Sequence, residues 1–150
     1  MRLAWGLEEP IGRYLSAQFP ELMRFGEYQP DLAAGFVDNA GVLFGAVGLR
    51  FDNAWDAQLS IHVERRGLLT ASVLRELFTV AFGRLQLVRL TCRVAKGNRR
   101  ARDFVERLGF RLEGSMRRAF DGRRDAMVYG MTATECRWLK EDGHAGPAVS

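Results

Sequence analysis

The sequence has few cysteines and no long apolar run. Its two cysteines, Cys92 and Cys136, fall on a predicted buried strand and a predicted C-terminal helix, so a disulfide framework is not expected. No run approaches the roughly 20 apolar residues that cross a bilayer, and residues 1–10 lack the apolar core of a signal peptide. We therefore expect a soluble protein of a reducing cytoplasm that has no membrane partner.

Lysine is scarce as well. Lys96 and Lys140 are the only lysines, so arginine supplies nearly all of the positive charge behind the net charge of +4. Arginine suits bidentate recognition of phosphate, although a GC-rich genome also encodes it by default. No basic patch is interleaved with aromatic residues as in single-strand-binding proteins, so nucleic-acid binding is not expected. No metal site is expected either.

Hydrophobic periodicity over the 150 residues predicts a single domain of the α+β class. The predicted elements are a helix (10–19), a further helical turn (22–26), three antiparallel strands (34–37, 42–51 and 55–63), a helix (69–83), a strand (85–95), a short helix (99–108), two strands (110–116 and 126–131) and a terminal helix (134–139). This order predicts a central, mixed, mostly antiparallel twisted sheet flanked by helices. Gly45 and Gly48 are small, and they are expected to let a neighbouring group approach the strand predicted at 42–51 closely. Residues 141–150 are expected to form a flexible tail.

Residues 97–110 carry the strongest local signals. Asn98 is well placed to cap the helix that follows it, and Gly109 is well placed to end that helix in a left-handed conformation. Apolar residues recur between them at i, i+3, i+4 and i+7, namely Ala101, Phe104, Val105 and Leu108. A strand runs into this segment and another runs out of it.

This strand–Asn–helix–Leu-Gly-Phe–strand segment resembles the second half of the Gcn5-related N-acetyltransferase (GNAT) superfamily. The residues Glu113-Gly114, Arg117 and Tyr129-Gly130-Met131 resemble ribosomal-protein-type N-acetyltransferases, and 135–139 resembles the ending of small bacteriophage-encoded GNAT proteins. The resemblance covers about residues 60–140. It implies the GNAT fold and transfer of an acetyl group from acetyl-CoA to a primary amine by direct attack. The amine would belong to a protein N-terminus, a lysine or a small molecule.

The resemblance also implies where the cofactor binds. GNAT proteins carry Gln/Arg-x-x-Gly-x-Gly/Ala before a helix whose N-terminus faces the pyrophosphate, and this chain matches that pattern only at Gly67. The pantetheine arm would lie between the strand ending at Val63 and the strand around 90–94. The expected cofactor-binding residues are Val63, Arg65, Arg66, Gly67, Leu68, Leu69, Thr70, Asn98 and Arg102.

The acids familiar in the family are absent from this chain. Many members have a Tyr seven residues after the helix-starting Asn, and some use a Ser three residues after it; here these positions are Val105 and Ala101. The backbone N–H of Val63 is expected to polarise the acetyl carbonyl. His62 and Glu64 are the candidate catalytic bases, and a purely structural role stays open for each.

These departures leave a second function open. A GNAT-fold protein used as a phage virion or virion-associated component, with weakened or lost catalysis, would keep the fold without the acids and the small loop residues. Its partners would then be phage structural proteins, and its location the virion or the host cytoplasm. The resemblance also allows a homodimer, and the acceptor is left open.

Overall fold

The computed structural model describes residues 2–23 and 28–139, which form a seven-stranded sheet with helices on both faces. The strands are β1 (Arg2–Trp5), β2 (Leu32–Val37), β3 (Leu43–Phe51), β4 (Asp56–Val63), β5 (Arg89–Ala95), β6 (Arg111–Met116) and β7 (Ala126–Thr132). The helices are α1 (Glu8–Gln18), α2 (Ala71–Phe78) and α3 (Arg99–Leu108). A π-helical turn (Thr79–Arg84) continues α2, and 3₁₀ turns lie at Pro20–Met23, Arg66–Leu68 and Ala133–Glu135.

The sheet is mixed, and its order is β1-β2-β3-β4-β5-β7-β6. All neighbouring strands are antiparallel except β4 and β5, which run parallel because α2 carries the chain back between them. The sequence prediction of a mixed, mostly antiparallel sheet in an α+β protein is therefore confirmed.

Alternation along the strands sends their apolar residues to two separate layers. Leu59 and Ile61 of β4 belong to the large core that α2 and α3 cover. On the opposite face, Ala46 of β3 packs in a smaller cluster with Ile11 and Leu15 of α1. One sheet thus separates two layers, and any opening through it connects them.

The caps predicted for α3 are both confirmed. The Asn98 side chain accepts a hydrogen bond from the Ala101 N–H at 3.1 Å, which satisfies one of the free donors at the helix start. Gly109 has a φ of 112°, a left-handed conformation that suits glycine because it has no Cβ. Both cysteines are buried, and neither forms a disulfide with the other.

Several predicted boundaries were wrong. Strand β1 was missed, since it is short and exists only through pairing with the distant β2. The terminal helix predicted over 134–139 is only the Ala133–Glu135 turn, because Cys136 is buried and Trp138 Nε1 donates to the Leu108 carbonyl at 2.7 Å. The helical turn predicted at 22–26 is a 3₁₀ turn that reaches Met23. Residues 24–27 and the predicted tail at 141–150 lie outside the described residues.

The remaining differences are shifts of a few residues at element ends. Helix α1 starts at Glu8, so Pro10 lies within its first turn, where a missing N–H costs no intrahelical bond. Helix α2 starts at Ala71 instead of 69, and β5 starts at Arg89 instead of 85. None of the helices within 2–23 and 28–139 is long and apolar enough to cross a membrane.

Gly45 provides a test of the predicted close approach. A Cβ at this position would lie 2.5 Å from the His62 carbonyl oxygen and 3.0 Å from the Val63 Cα, both on β4. We expect Gly45→Ala to lower the free energy of unfolding by about 1–3 kcal/mol, because the two strands must move apart. Gly114→Ala on the edge strand β6 is the matched control, since its Cβ would meet nothing within 4 Å. Equal losses of unfolding free energy in the two variants, measured by urea denaturation, would contradict the expectation.

Candidate functional site

The sheet opens between β4 and β5. Their pairing covers only Asp56↔Arg89, Ala57↔Leu90 and Gln58↔Thr91, after which β4 continues to Val63 and β5 to Ala95 without pairing to each other. The gap forms a cleft of about 920 Å³ lined by residues from both faces of the sheet. The two strands expected to hold the pantetheine arm are therefore the ones that separate.

The separation leaves one backbone edge of β4 facing the cleft. The Glu64 N–H donates to the Phe44 carbonyl on β3 at 2.8 Å. Successive amides of a strand point to opposite sides, so the Val63 N–H points toward the gap. Val63 also lines the cleft, so its N–H is directed into the space between β4 and β5, and its role as an oxyanion donor stays a prediction.

On the side of α2 and α3, the cleft wall is mainly apolar. It includes Leu59, Ile61, Cys92, Val94, Ala101, Phe104 and Val105. Ala101 and Val105 thus line the cleft, and neither side chain can donate a proton. Cys92 is fully buried, and burial raises the pKa of its thiol to about 12.

The guanidinium groups of Arg66, Arg100 and Arg107 lie close together where this apolar wall meets the loop after β4. Arg66 lies 4.3 Å above the Phe104 ring and donates to the Arg100 carbonyl at 3.4 Å. Burial lowers the pKa of Arg66, and the charges of Arg100 and Arg107 add to the shift. Such a concentration of like charge attracts anions.

Two of the expected cofactor-binding arginines have structural partners instead. Arg65 forms an ion pair with Asp38 at 3.0 Å. Arg102 donates to the Tyr129 hydroxyl at 3.0 Å and to the Lys96 carbonyl at 3.0 Å. Neither arginine lines the cleft, whereas Arg66, Arg100 and Asn98 do. These partners are distant in sequence, so spacing alone gave no sign of them.

The rest of the expected loop lies beside the cleft and not along its wall. The Leu68 and Leu69 amides donate to the Arg65 and Arg66 carbonyls within the loop, each at 3.0 Å. The Thr70 hydroxyl caps α2 by accepting from the Val73 N–H at 3.3 Å. A Cβ at Gly67 would meet nothing within 4 Å, so this position opens to solvent.

The two candidate bases line the cleft on the side of α1. His62 is half-buried between the rings of Tyr14 and Phe19, whose centroids each lie 6.1 Å from its own. Burial lowers the pKa of His62, while the charge of Glu64 opposes the shift. Glu64 accepts a hydrogen bond from the Tyr14 hydroxyl at 2.6 Å. Both groups are thus held on the same side of the sheet.

Sequence reasoning missed most of the residues on this side of the cleft. The wall here includes Glu21, Tyr28, Arg50, Ser60 and Arg93. The alternation of Gln58, Ser60 and His62 along β4 pointed to a polar face, but the neighbours contributed by β3 and β5 follow only from the strand register.

The solved structures similar to this chain include spermidine N-acetyltransferases and a GNAT-family acetyltransferase. A chimera of spermidine N-acetyltransferase SpeG from Vibrio cholerae and hSSAT matches with a TM-score of 0.69 at 20% identity, over 89% of this chain and 98% of that one. A dodecameric structure of the Vibrio cholerae enzyme matches with a TM-score of 0.67 at 16% identity, over 88% and 93%. A GNAT-family acetyltransferase from Bacillus anthracis matches with a TM-score of 0.59 at 14% identity, over 69% and 67%.

At these identities the likeness shows the fold, and the chain has the GNAT fold that the sequence predicted. No family model matches the chain. No curated protein matches it either. The finer resemblance to ribosomal-protein-type and phage-encoded proteins stays a prediction.

The surroundings of His62 make stability depend on pH. Its folded-state pKa lies below the usual 6.5, so the unfolded chain binds the proton more readily. The stabilising contribution is therefore present above about pH 6.5 and is lost as the pH falls toward the folded-state value. We expect the wild type to lose more stability than His62→Gln between pH 7 and 5, measured by urea unfolding. Parallel losses in the two proteins would contradict the lowered pKa.

Proposed function

We propose that this protein is an N-acetyltransferase that uses acetyl-CoA to acetylate a primary amine by direct attack. The observation that carries the proposal is the separation of β4 and β5, which opens a cleft through the sheet. One side of the cleft offers an apolar wall and a cluster of arginines, and the other offers His62 and Glu64. The N-acetyltransferases named among the similar structures support the same reading.

The residues of the cleft fit the chemistry of acetyl-CoA. Leu59, Ile61 and Phe104 suit the aliphatic arm, and the free edge of β4 suits its amide groups. Arg66 and Arg100 suit the phosphates, because a guanidinium group binds phosphate oxygens in bidentate fashion. When bound, acetyl-CoA supplies an activated acetyl thioester that a neutral amine can attack.

The chain supplies a proton acceptor and an oxyanion donor. His62 is neutral at pH 7 because its pKa is lowered, so its imidazole can take a proton from the attacking amine. Glu64 is the alternative acceptor, and its hydrogen bond from Tyr14 fixes the carboxylate. The Val63 N–H, directed into the gap, stabilises negative charge that develops on the carbonyl oxygen.

The chain has no acid at the two familiar positions, because Ala101 and Val105 stand there. The leaving group in this reaction is a thiolate, and an ordinary cysteine thiol has a pKa near 8.5, so a thiolate is a tolerable leaving group. Protonation by solvent is therefore sufficient in this proposal, and the missing acid lowers the rate without abolishing the reaction.

The loop after β4 favours the weakened or lost catalysis of the second candidate, which is a GNAT-fold component of a phage particle. The Leu68 and Leu69 amides are bonded within the loop, and fewer amides are left to bind a pyrophosphate. Under this alternative, the protein would not bind acetyl-CoA and would be found in assembled particles.

Binding of acetyl-CoA separates the two candidates. We expect saturable binding by calorimetry, and at least tenfold weaker binding by the double variant Arg66→Gln/Arg100→Gln, which lacks two phosphate partners. Gly67→Trp is also expected to weaken binding, because its side chain would fill the open space beside the loop. Arg13→Gln, on an exposed pair in α1, is the matched control. No binding by the wild type at millimolar acetyl-CoA would refute the enzyme proposal.

Rate measurements with His62→Gln and Glu64→Gln identify the base. The variant that removes it should lose about 10²–10⁴-fold in kcat, the usual contribution of a positioned general base. The measurement is release of free CoA at saturating acetyl-CoA across pH 6–9. If both variants keep the wild-type rate, neither residue is the base.

A further inference from the structure

The acceptor side of the cleft carries two arginines on one polar sheet face. Arg50 of β3 lies opposite Gln58, and Gln58 lies opposite Thr91 of β5. Arg93 follows Thr91 by two residues, so it projects from the same face. Arg50 and Arg93 therefore lie on either side of β4 near Ser60, and all three residues line the cleft.

These two guanidinium groups lack a matching charge. Within residues 2–23 and 28–139, neither forms an ion pair. The acids on this side have other interactions. Asp52 accepts from Gln58 Nε2 at 2.9 Å, Glu64 accepts from Tyr14, and Glu21 lies in the field of Arg124. Neutral donors do not offset the charge of Asp52 or Glu64, so Arg50 and Arg93 lie outside these ion pairs in a cleft that also carries acidic side chains.

A buried hydroxyl group adds an independent observation. Tyr28 lines the cleft and is only 3% exposed, yet its hydroxyl has no hydrogen-bond partner among the described residues. The ring is held in place, since its backbone N–H donates to Ser16 Oγ at 3.0 Å and its hydroxyl packs against Gly48. Burial raises the pKa of this hydroxyl and Asp31 raises it further, while the Ser60 hydroxyl and the charge of Arg50 oppose the shift, so all three side chains lie near it. A buried hydroxyl normally has a partner, so this one is available to a bound group that displaces the side chains covering it.

We propose that the acceptor amine carries an anionic group, a carboxylate or a phosphate, that Tyr28, Arg50 and Arg93 bind. This inference rests on the proposed function, because it names the substrate class of the same cleft. Arg50 and Arg93 attract the anionic group, because a guanidinium group forms strong charge-assisted hydrogen bonds to carboxylate and phosphate oxygens. The anionic end thereby places the amine on the side of the sheet that holds His62 and Glu64.

Calorimetry with unreactive ligands tests this without catalysis. The ligands are N-acetylglycine, N-acetylaminomethylphosphonate and the neutral N-acetylglycinamide, titrated at low ionic strength without acetyl-CoA. We expect at least one anionic ligand to bind about tenfold or more tightly than the amide. The stronger of the two identifies the acceptor as a carboxylate or a phosphate compound. Equal affinities for all three, or no binding of either anion, would overturn the inference.

Variants locate the subsite. Arg50→Gln, Arg93→Gln and Tyr28→Phe should each weaken binding of the preferred anion by about fivefold or more and leave amide binding unchanged. Tyr28→Phe keeps the ring that packs on Gly48, so loss of binding in this variant reports the hydroxyl and not the fold. Arg13→Gln again serves as the control. Unchanged anion binding in all three variants would place the site elsewhere and reject the proposal.

Turnover separates this inference from the proposed function. Glycine carries the anionic group and glycinamide does not, and we expect kcat/KM, expressed per neutral amine because their amine pKa values differ, to be at least tenfold higher for glycine. If acetyl-CoA binds and both amines react equally well, the acetyltransferase stands and the anionic acceptor fails. If acetyl-CoA does not bind but the anionic ligands do, the enzyme proposal fails while the anion subsite stands.

Discussion

The limited pairing of β4 with β5 is the constraint on which the rest of this molecule depends. β4 is bonded to β3 from Ala57 to Val63, and β5 is bonded to β7 from Arg89 to Ala95. The two central strands are no longer paired once their short ladder ends at Gln58↔Thr91. A polar cluster holds the closed end, where Arg89 pairs with Glu113 at 2.8 Å and with Asp56 at 3.5 Å. The absence of a side chain at Gly130 leaves room for this cluster. The cleft therefore exists because β4 and β5 are paired at one end and unpaired at the other.

The division of charge across the sheet follows from the same geometry. A cleft through a sheet opens to both layers, and each layer receives its side chains from different elements. Arg66 and Arg100 come from the loop and helix on one face, whereas Arg50 and Arg93 come from strands and face the other layer. In the proposed reaction, the first pair meets the cofactor and the second pair meets the acceptor. The total arginine content indicated no particular partner. The structure assigns each of these four guanidinium groups to one face of the sheet.

The parts of the fold that depend on neighbours in sequence could be predicted, and the parts that depend on distant partners could not. The caps of α3 at Asn98 and Gly109 are local, so spacing was sufficient to find them. Strand β1 needs β2 to exist, and Arg102 looks like a free surface charge until β7 brings Tyr129 to it. Tyr28 gave no sequence signal, because its burial comes from packing against Gly48. His62 and Glu64 both line the cleft because strand alternation sends their side chains to one face, and their roles stay predictions.

The buried thiol of Cys92 bears on the order of events in the proposed reaction. Its pKa of about 12 leaves almost no thiolate at neutral pH, although the residue lines the cleft. Thiol–thioester exchange needs the thiolate, so Cys92 is not suited to accept the acetyl group in a covalent intermediate. Direct attack, as proposed, then requires the amine and the thioester to occupy the cleft together. Kinetics of this kind are sequential, and no burst of free CoA precedes the arrival of the acceptor.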